Sequence, residues 1–348
     1  MADVFMMPVA EPRTLARGQW AGEEVRTLVW RGILRALEPM SPSSGSFGSN
    51  ISELATEPVI GPGGEIHSDV PSISGVQMCS LVVRQPGMDY VIERLGLSGL
   101  PPQALDLLYS GGMLESPANR AKRGRKSDVG TYSVALFDDM VALIPLLGVL
   151  GGALGTSMEP SRIYSDTCLL VCSETAHLLP NGLLPDGIDI HDSYSYRSDR
   201  VHTRGDMKLR AHYRKLLMAE AGEAEELRLQ DNAQKKPEEK EKSLLMPYER
   251  ESVARGSLWY WSFRLERITN VEFGAFVTAI QKFLHAPYLG GRRHRGYGKV
   301  EFFRSSWLEV EPFTHTATDD EIARAILMYD THLDERKDEI VEFLENRV

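Results

Sequence analysis

The sequence predicts an α+β fold, and three observations predict it. Runs with strand character, rich in β-branched and aromatic residues, occur at Val25–Glu38, Ile163–Cys172, Glu251–Leu265 and Lys299–Leu308. Apolar residues recur at helical spacing in two places. Met88, Val91, Ile92 and Leu95 share one face, and Phe273, Phe276, Val277, Ile280 and Phe283-Leu284 share another. In chain order these elements read strand, helix, strand, strand, helix, strand. That is a βαββαβ order, the ferredoxin-like or RRM topology, whose sheet face is a common platform for single-stranded RNA.

The remaining segments fall between or outside those six. Residues 1–24 mix proline, glycine and charge without periodicity and read as an arm. Pro39 stops the first strand, and Ser41 to Ser49 reads as a Ser/Gly loop whose Ser43, Ser44 and Ser46 offer hydroxyls to phosphates; a plain linker has the same composition. Gly61-Pro62-Gly63-Gly64 reads as a turn. The first helix is expected from about Gly87 to Leu95, with Pro86 in its first turn, where a missing amide costs nothing. The Ser74-Gly75 step before it can offer amides to an anion or be an ordinary turn. Residues 98–157 form a helical insertion: a short helix over Pro101–Tyr109 ended by Ser110-Gly111-Gly112, the basic run with Lys122, Arg123, Arg125 and Lys126, and a buried apolar segment from Val141 to Gly155. From Ile188 to Met246 the hydrophobic pattern collapses, and Tyr194, Tyr196, Arg197 and Arg200 alternate at its start. So long a stretch without core signals reads as a projecting insertion. The core therefore spans 25–312, and 313–348 is an acidic C-terminal helix with its own apolar stripe.

A chain of 348 residues, 42% hydrophobic, can bury a large core as one elaborated domain or two. Its longest apolar stretch is interrupted by proline and glycine, so no membrane partner is expected, and no secretory leader is apparent. Cys79, Cys168 and Cys172 fit reduced thiols in a cytoplasmic protein. They lack a second ligand pair for zinc, so no metal is expected. The net charge of −10 excludes a protein that coats nucleic acid indiscriminately. The charge is segregated, however: basic residues gather at Arg120–Lys126, Arg197–Lys215 and Arg292–Lys299, which permits a basic groove on an acidic body.

The most informative stretch is Gly290 to Phe302. Gly291, Arg292, Arg293, His294, Arg295, Tyr297 and Lys299 combine side-chain-free backbone, which can approach a phosphate chain, with guanidinium forks that grip phosphate oxygens. The spacing is not that of a nucleotide P-loop, and no helix follows. A solvated hairpin turn is the competing reading.

Five stretches in order resemble the RAMP superfamily of CRISPR proteins, and within it the Cas-seven backbone subunit of type IV effector complexes. They are Leu37-Glu38-Pro39 with the Ser/Gly loop after it, Pro71-Ser72-Ile73-Ser74-Gly75, Tyr109-Ser110-Gly111-Gly112 with Leu150-Gly151-Gly152-Ala153-Leu154-Gly155, Glu249–Ser257, and the Gly290–Val300 loop. The resemblance implies an RNA-binding subunit without a cofactor. Its RNA contacts would come from the Ser/Gly loop, from Ser74, Gly75 and Gln77, and from the glycine-rich loop, while residues 188–246 would act as a thumb. Arg84, the basic run Lys122, Arg123, Arg125 and Lys126, and Arg197 and Arg200 are further expected RNA contacts. Its implied partners are CRISPR RNA, a target nucleic acid (DNA) paired through the guide, copies of itself in a helical filament, other effector-complex subunits and a helicase. Two departures stand out. The family's Ser-Gly-Asn-Leu-Arg-Gly becomes Ser74-Gly75-Val76-Gln77-Met78, with Arg84 downstream, and Ser41–Asn50 holds no acid of the kind that cuts RNA in type III relatives. The second departure implies binding without cleavage. Two alternatives stay open: a metal-independent guide-processing endoribonuclease using His294 or His67 as base, and a free-standing RRM-type protein reading RNA through Trp259-Tyr260-Trp261-Ser262-Phe263.

Overall fold

Strand β1 (Arg26–Ala36) is the spine of the molecule. Its residues alternate, and Leu28, Trp30 and Leu34 are essentially inaccessible to solvent. The computed structural model describes residues 25–47, 51–112, 134–154, 157–184, 187–204, 246–290, 293, 296–310 and 315–346. Within them helices and strands combine in an α+β architecture. Strands β2 (Ser43–Phe47), β3 (Ile51–Leu54), β4 (Thr56–Ile60) and β5 (Ile66–Ile73) follow β1. Helix α1 (Gly75–Met78) passes through a π turn over Cys79–Arg84 into α2 (Gln85–Leu95). Three further helices come next: α3 (Pro102–Ser110), α4 (Val134–Leu143) and α5 (Pro145–Leu150).

The second half of the chain completes two sheets. Hairpin β6 (Gly152–Leu154) and β7 (Ser157–Glu159) precedes β8 (Ile163–Ser165) and β9 (Cys168–Leu170). Then come β10 (Arg197–Arg204), β11 (Met246–Val253), β12 (Leu258–Ile268), α6 (Asn270–His285), β13 (Val300–Val310), β14 (His315–Thr316), α7 (Asp319–Glu335) and α8 (Lys337–Asn346). The main sheet runs β14-β13-β1-β12-β9-β5-β4, with β8 also on β12, and β1 is antiparallel to both its neighbours. A second sheet runs β10-β11-β3-β2.

One face of the main sheet carries the core. Trp30 meets Trp261 edge-on at 4.2 Å and lies 5.1 Å from Phe302 and 5.9 Å from Phe276 of α6. Each such pair contributes about 1 kcal/mol beyond simple burial. Helix α6 forms where the sequence predicts it because Thr269 and Glu272 make a reciprocal capping box and its apolar face buries Phe273, Phe276 and Ile280. Buried Glu272 also pairs with Arg162, whose Nε donates to Gly148 O at 3.0 Å, tying β8 to α5 and α6. Helix α7 docks on α6 at Gly274, where any side chain would overlap the Ala325 carbonyl.

Several expectations are corrected. The Ser/Gly loop is a strand over Ser43–Phe47, because β3 supplies backbone partners that its composition does not advertise. The first helix begins twelve residues earlier than expected, at Gly75 rather than Gly87. Pro86 therefore stands mid-helix, directly after the π turn, whose wider winding (Gln85 N to Ser80 O) accommodates a ring that an α turn would reject. Ile163–Cys172 is two short strands, and Glu251–Leu265 is two strands broken by a turn before Ser257. The C-terminal helix is divided at Arg336. The insertion does not project from its first residue: Ile188 and Ile190 pack with Leu179, Leu184 and Ile33 on the sheet's second face. Glu174 locks that packing by accepting the Ser193 amide on both oxygens, at 2.9 and 3.1 Å. Among the described residues no helix is long and apolar enough to cross a membrane.

Candidate nucleic-acid interface

Backbone hydrogen bonds stitch together, along one rim, four segments that the sequence singles out. The amides of Leu37 and Glu38 both donate to Lys299 O, at 2.8 and 3.2 Å, and Gly298 donates to Pro39 O at 3.0 Å. The glycine-rich loop thus lies against the end of β1. Met40 and Val253 exchange two bonds of 2.9 and 2.7 Å, which brings in the end of the β10–β11 arm. Ala55 donates to Pro42 O and Ser72 donates to Ala55 O, each at 2.9 Å, two residues before Ser74. At about 4.8 Å per inter-strand step, the series spans roughly 15 Å.

Each segment has its own local logic. The glycine-rich loop closes on itself through Leu289 N to Gly298 O at 2.8 Å and Gly296 N to Arg293 O at 3.2 Å. Gly298 has φ 82°, and a side chain there would run into the Leu289 carbonyl, so only glycine fits. Ser74 caps α1 by accepting from Gln77 N at 3.3 Å, and Gly75 lies so close to Ser165 O that a Cβ would overlap it. The arm is a regular antiparallel ladder from Arg197 opposite Val253 to Arg204 opposite Met246. Its base is pinned at Glu251, whose carbonyl accepts from Ser41 Oγ and whose carboxylate accepts from Leu54 N, both at 3.0 Å.

The expected contact residues distribute unevenly over this frame. Arg293 and Lys299 are exposed on the loop, and Ser74 is exposed at the helix start with Gln77 half-buried beside it. Tyr297 is buried at 2% exposure, so its ring is not a surface for a base. Arg84 is engaged inside the fold. Its Nη1 donates to Leu107 O and Leu108 O and its Nη2 to Leu150 O and Gly151 O, at 3.1–3.5 Å, capping the ends of α3 and α5. Burial there lowers its affinity for the proton. Arg197 donates to Asp69 O and lies 6.0 Å from the Tyr194 ring. Ser43, Ser44, Ser46 and Arg200 lie on strands, but their side chains are outside the described residues, as are Gly291, Arg292, His294, Arg295, Lys122, Arg123, Arg125 and Lys126 entirely.

Arg255 escapes sequence reasoning. It is 64% exposed on the turn between β11 and β12, bonded to Glu38 at 3.0 Å, and Gly256 beside it donates to Ala36 O at 2.7 Å. That places a further cation at the loop end of the rim. A lone arginine in Ala-Arg-Gly-Ser carries no sequence signal, because its position depends on a contact with residues more than two hundred places away.

Of the two histidines considered as a base, His294 lies outside the described residues. His67 sits near the tip of the β4–β5 hairpin, 3.4 Å from Glu65, roughly 17 Å of extended chain from Ser72. Hydrogen bonds from backbone amides and from His67 hold the Glu65 carboxyl below its usual range. Burial pushes the Cys79 and Cys172 thiols up to about 11, so both stay protonated at neutral pH. Among the described residues no cluster of three or more His, Cys, Asp or Glu is arranged to hold a metal. Trp259, Trp261 and Phe263 are fully buried, leaving half-buried Tyr260 as the aromatic of that run on the outer face.

No family model and no curated protein matches the chain. Among solved structures, a chain of a "Type IV-B CRISPR Complex" is similar, with 17% identity, 83% of this chain and 93% of that chain aligned, and a TM-score of 0.49.

Proposed function

We propose that the chain is a non-catalytic guide-RNA-binding backbone subunit of the RAMP superfamily, acting in a type IV CRISPR ribonucleoprotein. The observation that carries this reading is the rim. The glycine-rich loop, the segment following β1 and the Ser74-Gly75 step, through which the resemblance implies guide contacts, lie next to one another and to the base of the arm although they are far apart in sequence. The sheet order supports the reading too. β13, β1, β12 and β9 are adjacent in the main sheet, as the four strands of a βαββαβ unit would be, with the α1–α2 helix and α6 as its helices in our reading.

In this reading the protein supplies phosphate and shape contacts while base pairing by the guide supplies sequence recognition. Copies line up along the guide, each arm reaching the next, and the particle binds complementary target without cutting it. The test is salt dependence. A single-stranded RNA of guide length is titrated against wild type and against a variant with Arg292, Arg293, Arg295 and Lys299 all changed to alanine. The slope of log K against log salt is expected to fall by about 0.7 for each lost phosphate contact. An unchanged slope would show that the loop is only a turn.

A further inference from the structure

Tyr164 is 53% exposed on a strand whose neighbours Ile163 and Leu265 are buried. It stands in register with Arg264 of β12, so the two side chains occupy adjacent places on the outer face of the sheet. Arg264 is itself exposed, its Nε held by Glu266 at 3.1 Å. The next residue of β8, Ser165, lies against Gly75, which brings the 81%-exposed Val76 of α1 alongside. An aromatic ring, a guanidinium and an aliphatic side chain therefore lie open to solvent where the rim ends.

We infer that Tyr164, flanked by Arg264, is a stacking platform for an unpaired nucleobase of the strand held along the rim; this rests on the RNA-binding reading above. An exposed ring with a neighbouring guanidinium is the chemistry that takes a π-face regardless of base identity. The acids nearby choose between base and phosphate. Glu266 already pairs with Arg264, and the exposed Asp166 follows Tyr164 by two residues, so the site disfavours a phosphate while offering acceptors to a base's amino groups. Tyr194 is more exposed, but the guanidinium beside it is tied to Asp69 O and not to the rim.

The experiment uses the full chain and single-stranded RNA carrying 2-aminopurine at successive positions. Tyr164→Ala is expected to weaken binding about tenfold, to abolish the positional fluorescence change, and to leave the salt slope unchanged, because a stacking contact and no phosphate contact is lost. Tyr164→Phe is expected to keep all three wild-type properties. Wild-type affinity in Tyr164→Ala would overturn the platform alone, since the loop variant tests the rim separately. A wild-type chain that binds no RNA would overturn both. If Tyr164→Ala instead weakens self-association measured by light scattering without RNA, the ring is a protein contact and the platform is wrong.

Discussion

The amide of Gly298 donates to the carbonyl of Pro39 at 3.0 Å, and this bond holds the glycine-rich loop against the end of the central strand. Gly298 can make it only because its φ of 82° and its missing Cβ let it pass beside Leu289 O. Gly298→Ala is expected to cost about 1–3 kcal/mol of stability and to weaken RNA binding with it. Gly296, with φ 75° and open space around it, is the control: Gly296→Ala should cost about 1 kcal/mol, from backbone conformation alone. Urea denaturation of the two variants separates these outcomes, and equal losses would mean that the Leu289 contact is unimportant.

Arg84 answers to a different assay. Four carbonyls at the ends of α3 and α5 converge on it, and Arg84→Ala leaves them in a half-buried site without a donor. A loss of about 2–4 kcal/mol is expected by thermal or urea unfolding. The salt slope of RNA binding by the surviving folded protein should equal that of wild type. A reduced slope would mean that Arg84 reaches a phosphate after all.

Glu272 is buried, pairs with Arg162 and completes the capping box of α6. Removing one partner of such a pair strands the other, so Glu272→Ala should cost about 3–5 kcal/mol. Glu272→Gln can keep the cap through its amide oxygen but loses the charge and one acceptor facing Arg162, and a smaller loss than for Glu272→Ala in denaturant unfolding is expected.

Glu174 should make the packing of residues 188–196 sensitive to acid. Burial works to raise its pKa, but the Ser193 amide and other hydrogen bonds outweigh burial and bring it from about 4.5 down to about 2. A carboxylate with a depressed pKa stabilises the fold above its unfolded value and loses that contribution as pH falls toward 2. Protection of the Ser193 amide from hydrogen exchange should therefore drop between pH 4.5 and pH 2. Glu174→Gln should flatten the dependence, and a profile unchanged in the variant would assign the titration elsewhere.

The arm offers a clean excision. Arg204 and Met246 are register partners, so a two-residue Asn-Gly turn can join them and close the ladder in place of residues 205–245. The shortened chain is expected to remain a folded monomer and to lose ordered multi-subunit assembly on guide RNA. Light scattering after size exclusion reads both properties. A shortened chain that still forms the large particle would show that residues 205–245 are not a thumb.

Helix α6 was legible in the sequence because its signals are local, an apolar face at helical spacing and Pro287 just beyond it; its Thr269/Glu272 cap emerges from the structure. The central strand was legible for the same reason. Strand β2 was not, since Ser-Ser-Gly-Ser-Phe has the composition of a linker and becomes a strand only through pairing with β3. The helix from Gly75 was hidden by Pro86, a strong local stop sign overridden by the π turn before it. In the candidate interface Arg293, Lys299 and Ser74 are exposed, whereas Arg84 and Tyr297 are drawn into the fold, which their residue types alone do not reveal. Residue type advertises what a side chain can do, and burial, which depends on distant segments, decides whether it meets solvent.

The rim has a consequence for how such a protein can change over time. Its segments are joined by amide and carbonyl groups, which every residue except proline possesses in full. Side chains along it are therefore free to drift, provided a few glycines persist where nothing larger fits. Two chains can share this edge while sharing few letters. Insertions and deletions, which shift the register, are the changes that it cannot absorb.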